Sequence, residues 1–330
     1  MGRPVSSYIL RRILIAIPVL LGITIVAFTA LSLAPGDPLL ARLDPTILAR
    51  IQSDPRQLAQ LRHELGLDQP LPVRYLVWLA GAVQGDFGYS IASHRTILFE
   101  LSKRIPPTLA LMGTATLIAL LVGIPFGVLS ALRQYSKLDY VLTSTTMLMA
   151  STPTFVLGLA GVYIFAVGLD LVPSSGIQTL GKPANLADFV WHMALPAMVL
   201  GLSSAAPLMR YTRASMLDVL NSEYVTTAKA KGLINRTVVI RHAFRNSLIP
   251  IITVIGLLLP ELVGGAVITE QIFAWPGMGQ LAVRAAADRD TALMMGIVLV
   301  VGTAVLAINI LVDVLYATVD PRVRFGRSTA

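Results

Sequence analysis

A chain of 330 residues that is 55% hydrophobic and only 13% charged, with mean hydropathy +0.73, carries about half the charge of an average soluble domain, which makes a membrane protein the leading class. Its net charge of +8 and pI near 10.0 fit the basic loop bias that orients membrane helices better than a nucleic-acid surface. The absence of cysteine excludes disulfides, thiolate metal sites and thiol catalysis, and His63, His94, His192 and His242 stand too far apart for a metal-ligand spacing.

A spanning helix needs about 20 mostly apolar residues. Ile13 to Gly36 is uncharged and follows Arg3, Arg11 and Arg12. This apolar run exceeds the roughly 7–15 residues of a signal-peptide core, so it reads as a retained first span. Residues 37–104 are charged and proline-rich, long enough for a small lobe outside the bilayer, with short helical pieces expected at 45–52 and 55–65. Five more spans come after it: Ile105–Leu132, Tyr140–Leu169 with Pro153 inside, Phe189–Met209, Asn246–Thr269 and Thr291–Thr318. Prolines and glycines within them are compatible with membrane helices, where neighbours re-satisfy the freed backbone groups.

Six spans place the N-terminus, the 133–139 and 210–245 loops and the C-terminal tail on one side. That side carries 15 basic and four acidic residues, against 11 basic and 12 acidic on the other. The short-loop asymmetry predicts that the first set is cytoplasmic. The chain therefore divides into a tail and first span (1–36), an outer lobe (37–104) and a core (105–330) holding a cytoplasmic loop at 210–250.

That loop is a polar, basic island between two long apolar runs. It reads as helix–Gly–helix, with Gly232 as the break and Asn235 capping the second helix. Leu220, Tyr224 and Ala228 recur every four residues, with Val225 beside them, giving a narrow apolar stripe. Thr226, Thr227, Lys229 and Lys231 lie off it. Two readings stand at this level: a surface helix offered to a cytoplasmic partner, or a basic loop that sets topology and touches headgroups. A third, a DNA-reading helix-turn-helix, is set aside because the flanking spans hold the island at the bilayer.

Other features also divide. Trp275-Pro276-Gly277 is a tight outer turn, serving as an interfacial anchor or as a gate. Gly85-Asp86-Phe87-Gly88 either meets a docking protein or folds the lobe. Glu261 and Asp313 are carboxylates within apolar runs, which is costly in lipid and so a functional signal. Glu261, after Pro260, either faces a cavity and binds a substrate amino group or pairs with a neighbouring span. Asp313 sits close enough to the cytoplasmic end to be wet. No Ser/His/Asp set or paired-carboxylate spacing marks an enzyme. The chain holds no G-x-x-x-x-G-K-[ST] phosphate loop, so it does not hold nucleotide phosphates through that chemistry.

The run from Glu223 to Gly232, continuing from His242 to Pro250, resembles the coupling loop of binding-protein-dependent ABC importers, and most resembles the dipeptide/oligopeptide permease branch. The general loop pattern is Glu-Ala-Ala, three residues, then Gly. Aligned on Gly232, those positions hold Thr226, Thr227 and Ala228. Further resemblance lies in Ala34–Pro38, Leu65–Leu71, Gly85–Ser90, Ser151–Phe155, Phe273–Gly279 and Asp320–Arg322, in the order of a B-type permease subunit. The resemblance implies an all-α, six-helix type I permease fold in the bacterial inner membrane, with both termini cytoplasmic. It implies that Glu223, Tyr224, Thr226, Thr227, Ala228, Lys229, Lys231 and Gly232 couple to a partner ATPase. It also implies a second related permease and an extracytoplasmic solute-binding protein, for which Asp86, Phe87 and Trp275 are docking candidates. No cofactor is expected on this chain, ATP and Mg²⁺ belonging to the ATPase subunits. The cargo would be a di- or oligopeptide or a related ligand such as a nickel complex, glutathione or haem. The rival class is a proton-coupled secondary carrier using Glu261 as relay; secondary carriers often show internal repeats with paired broken helices, and none stands out in this sequence.

Overall fold

The computed structural model describes residues 5–34, 63, 68–183 and 185–319. The helical piece expected at 45–52, that at 55–65 apart from residue 63, and the Asp320–Arg322 stretch lie outside these residues. The described chain is almost wholly helical; its β-structure is one isolated antiparallel bridge, Tyr89 with Thr96. In chain order the elements are α1 (Val5–Leu33), α2 (Leu71–Val83), α3 (Ile97–Leu132), α4 (Lys137–Ser151), α5 (Thr154–Gly161), α6 (Leu186–Leu220), α7 (Glu223–Ala230), α8 (Asn235–Thr237), α9 (Arg245–Ile272), α10 (Met278–Ala287) and α11 (Thr291–Val319). Wider π-type turns continue α5 over Val162–Gly168 and join α8 to α9 over Val238–Phe244.

Among the described residues five helices are long and apolar enough to cross a membrane, and the count is six if the bent pair α4–α5 is one broken span. The expected third span is therefore not one straight helix: its halves meet at 104°. Proline drives the residue before it out of the α region. Thr152 accordingly adopts φ −96°, ψ 124°, and Pro153 starts the second helix from φ −56°, ψ 139°. α3 begins at Ile97, eight residues before the expected start at Ile105. α6 runs on past the expected end at Met209 to Leu220.

The chain forms two compact units, one built from 1–13, 107–279 and 305–330, the other from 14–106 and 280–304. The first is organised on α6. Its core joins Leu111 and Ala115 of α3, Met193, Ala197 and Leu200 of α6, Ala266 of α9 and Trp275. Close helix approach explains the glycines. A Cβ at Gly127 would lie 2.6 Å from Thr212 Cβ, and one at Gly123 would lie 3.0 Å from Leu208 Cβ. This Gly-x-x-x-Gly pair lets α3 and α6 backbones meet, as in membrane helix pairs generally. Gly256 plays the same part for α9 against Val312 of α11, at 2.4 Å.

In the second unit, buried Asp290 caps α11 by accepting from Leu293 N at 3.0 Å. Its other oxygen accepts from Ser90 Oγ and Ile91 N, both at 2.7 Å. Ile97 packs on Gly296, where a Cβ would be 2.7 Å away.

Candidate functional site

The island folds as a short helix held at the end of α6. After Asn221 the chain turns through Ser222, at φ −75° and ψ 150°, into α7. Glu223 stands in its first turn and Lys229 in its last, each at the helix end whose partial charge it complements. Val225 (0% exposed) and Ala228 are buried and pack with Val238 and Val219. Glu223, Tyr224, Thr226, Thr227, Lys229, Lys231 and Gly232 are all exposed.

Two expectations change here. The buried stripe is Val225–Ala228, one step around the helix from Tyr224, which is 44% exposed. Tyr224 is tied down only at its tip, where its hydroxyl accepts from Asn246 Nδ2 at 3.1 Å. Ala228, grouped with the coupling contacts, is instead the seat on which α7 rests. The second change concerns Asn235, expected as a cap. It is the first helical residue, with Ile234 at the cap position and no side-chain capping bond.

Gly232 ends α7 as expected. Gly232 N donates to Lys229 O at 3.0 Å and Leu233 N to Ala228 O at 3.4 Å, the two-bond pattern of a helix closed by a left-handed residue. Its φ is +77°, and nothing lies within 4 Å of where a Cβ would stand. The demand for glycine is thus conformational, not steric crowding.

The π-type turn on which α7 packs is itself anchored in the bundle. Ala243 in the π-type turn meets Ala131 of α3 and Met216 of α6, all buried. Ser247 Oγ donates to Phe244 O at 2.8 Å and lies 3.2 Å from Met216 Sδ. Among the described residues no cluster of His, Asp and Glu is arranged to hold a metal. α7 thus presents about two turns of exposed, mostly polar side chains on one side and an apolar seat on the other.

The other candidates fall elsewhere. Trp275 is 0% exposed, and its Nε1 donates to Pro107 O at 2.9 Å. It is a core residue, which corrects its reading as an interfacial anchor or a docking contact. The turn buries it because Trp275 N donates to Glu270 O at 2.8 Å, folding the indole back onto Phe189, ring centroids 5.5 Å apart. Asp86 is exposed and accepts from Gly88 N at 2.9 Å, while Phe87 is half-buried. Glu261 belongs to α9, but its side chain lies outside the described residues. Asp313 is paired: Arg12 Nε stands 3.0 Å from its Oδ2.

Two clusters were not anticipated from sequence. In one, the Asp139 carboxylate is buried and accepts from Arg213 through Nε and Nη2, each at 2.8 Å, from Tyr135 N at 2.9 Å and from Ser130 Oγ. This bidentate pair joins α3, α4 and α6. The spacing Ser136-x-x-Asp139, with Asp139 N donating to Ser136 Oγ, was a legible capping signal. In the other, Glu270 is fully buried in α9 and accepts from Thr108 Oγ1 at 2.6 Å, which in turn accepts from Met278 N at 2.7 Å. Glycine at 277 is the condition for this arrangement, since a Cβ there would lie 2.0 Å from Glu270 Oε1.

A membrane bundle that carries a short polar helix between two of its spans has the build of an importer's membrane-spanning subunit. The sequence matches two family descriptions: "Binding-protein-dependent transport system inner membrane component" over residues 123–325, and the corresponding N-terminal region over residues 5–112. The chain belongs to this family of ABC-importer permeases. It is 44% identical to the oligopeptide transport system permease protein AppB of Bacillus subtilis, over 97% of this chain and 100% of that one. It is 38% identical to the dipeptide transport system permease protein DppB of Escherichia coli K12, over 96% and 98%. A crystal structure of the MetNI methionine ABC transporter in an inward-facing conformation shares the fold, with TM-score 0.56, 17% identity and coverage of 68% of this chain and 97% of that one.

Proposed function

We propose that this chain forms one half of the membrane path of an ATP-driven importer for di- or oligopeptides, and that α7 is where an ATPase subunit docks. The observation that carries the docking is the exposed row Glu223, Tyr224, Thr226, Thr227, Lys229 and Lys231 on a helix whose opposite side is seated in the bundle. The peptide class rests on relatives named for oligopeptide and dipeptide transport. A second permease completes the path, and an extracytoplasmic binding protein delivers the cargo. Both termini and α7 face the cytoplasm, following the positive-inside charge count. ATP and Mg²⁺ bind on the ATPase, and this chain holds no cofactor. Closure of the ATPase moves α7, and the seat under it passes that motion to α6 and α9.

Uptake by the reconstituted importer tests this. Labelled oligopeptide should enter sealed vesicles only when the ATPase subunits and ATP are present. Accumulation driven by a proton gradient, with the ATPase omitted, would overturn the proposal and return Glu261 to the centre of the mechanism.

A further inference from the structure

We infer that α2, in the stretch expected to form an aqueous outer lobe, lies inside the bilayer with one face against lipid acyl chains. The inference starts from where α2 touches α1. Tyr75 meets Thr24 and Phe28: its hydroxyl is 3.0 Å from Thr24 Oγ1, and its ring stands edge-on to Phe28 with centroids 5.6 Å apart. Thr24 is buried and donates to Leu21 O, so the Tyr75 hydroxyl is the donor between them.

α1 itself measures the depth of that contact. Ile13 to Leu33 is an unbroken uncharged helix following Arg11 and Arg12, about 30 Å long at 1.5 Å per residue. That matches the hydrocarbon thickness of a bilayer. Thr24 is 12 residues beyond Arg12, about 18 Å along the axis, close to the bilayer midplane. Phe28 is about 6 Å further on, still short of the end of the apolar run. A helix packed on these two side chains enters the membrane region whichever way the protein is oriented.

The surface chemistry of α2 agrees. Its sole charge is Arg74, placed over the Phe28 ring at 5.9 Å. Val73, Leu76, Val77 and Val83 are exposed, Leu76 at 61% and Val77 at 64%, and they recur at helical spacing along one face. An uninterrupted apolar stripe is unsuited to water, and α1 likewise exposes apolar side chains at Val19, Ile23 and Val26. Thirteen residues reach about 20 Å, too short to span, so α2 is a helix set partway into the membrane. This holds for any cargo the permease carries.

The cysteine-free chain makes the test direct. Single variants Leu76→Cys and Val77→Cys, with Tyr89→Cys as a loop reference, are spin-labelled in the full chain assembled with its importer subunits in phosphatidylcholine/phosphatidylglycerol vesicles. Expected are strong relaxation by oxygen and little by the water-soluble nickel chelate NiEDDA at 76 and 77, with the chelate effective at 89. High chelate access at 76 and 77 would place α2 in an aqueous lobe. Low access to both reagents would mean that a protein partner covers the stripe. Either result overturns the inference.

Discussion

The polar island at 221–250 and the turn at 270–279 both look like surface features in sequence, and the structure treats them oppositely. α7 of the island shows its polar side chains and packs through Val225 and Ala228 onto Val238 and Val219. The turn folds inward, burying Trp275 and leaving Glu270 fully enclosed beside Thr108. One segment leaves its polar side chains exposed, and the other is packed into the bundle. The difference lies in what the backbone does. α7 closes on a left-handed glycine and remains a distinct knob. At Trp275 the amide bonds back to Glu270 O, and the indole is carried into the core.

Substitutions should separate the two. Trp275→Ala removes a completely buried aromatic and should destabilise the fold by about 3–5 kcal/mol. Gly277→Ala, which places a methyl on the Glu270 carboxylate, should be similarly damaging. Both should appear as loss of monodisperse protein and a lower melting temperature in detergent. A stable Trp275→Ala variant would break the contrast. Asp139→Ala should rank next. It strands the Arg213 guanidinium, which is partly solvated, so about 2–3 kcal/mol is expected, below the loss from a fully buried pair. Adding Arg213→Met should restore part of the melting temperature.

Gly232→Ile forces a β-branched residue to φ +77° and should cost about 1–3 kcal/mol. The protein should still insert, while ATP hydrolysis by the assembled importer proceeds with little uptake. Normal coupled uptake would count against α7 as the coupling element. The smallest effect on stability should come from Lys229→Ala with Lys231→Ala, within about 0.5 kcal/mol because both are exposed. Its effect should appear instead as reduced uptake.

The six apolar runs and the island were legible because length and charge carry the information. Pro153, noted in the third run, breaks it, and the rule for the residue preceding proline could have foreseen that. The fate of Trp275 was not legible. A Trp-Pro-Gly turn reads the same whether its indole faces lipid or core, and that is decided by Pro107 and Phe189, which are distant in sequence. The Asp139–Arg213 pair is not legible either, because no local pattern links residues 74 positions apart. Tyr224 was misplaced by a single step around a helix of only eight residues, a length at which periodicity separates neighbouring faces poorly. α2 is not legible in the sequence, because its 13 residues are too few to read as a span.

The role of α7 can be measured most directly by photo-crosslinking. A photoreactive amino acid at Thr227, exposed and off the seat, is activated in the intact importer. A covalent adduct with the ATP-hydrolysing subunit is expected, and none from the same probe at buried Met216. Adducts at Thr227 to lipid alone, with no ATPase adduct, would contradict docking on this helix.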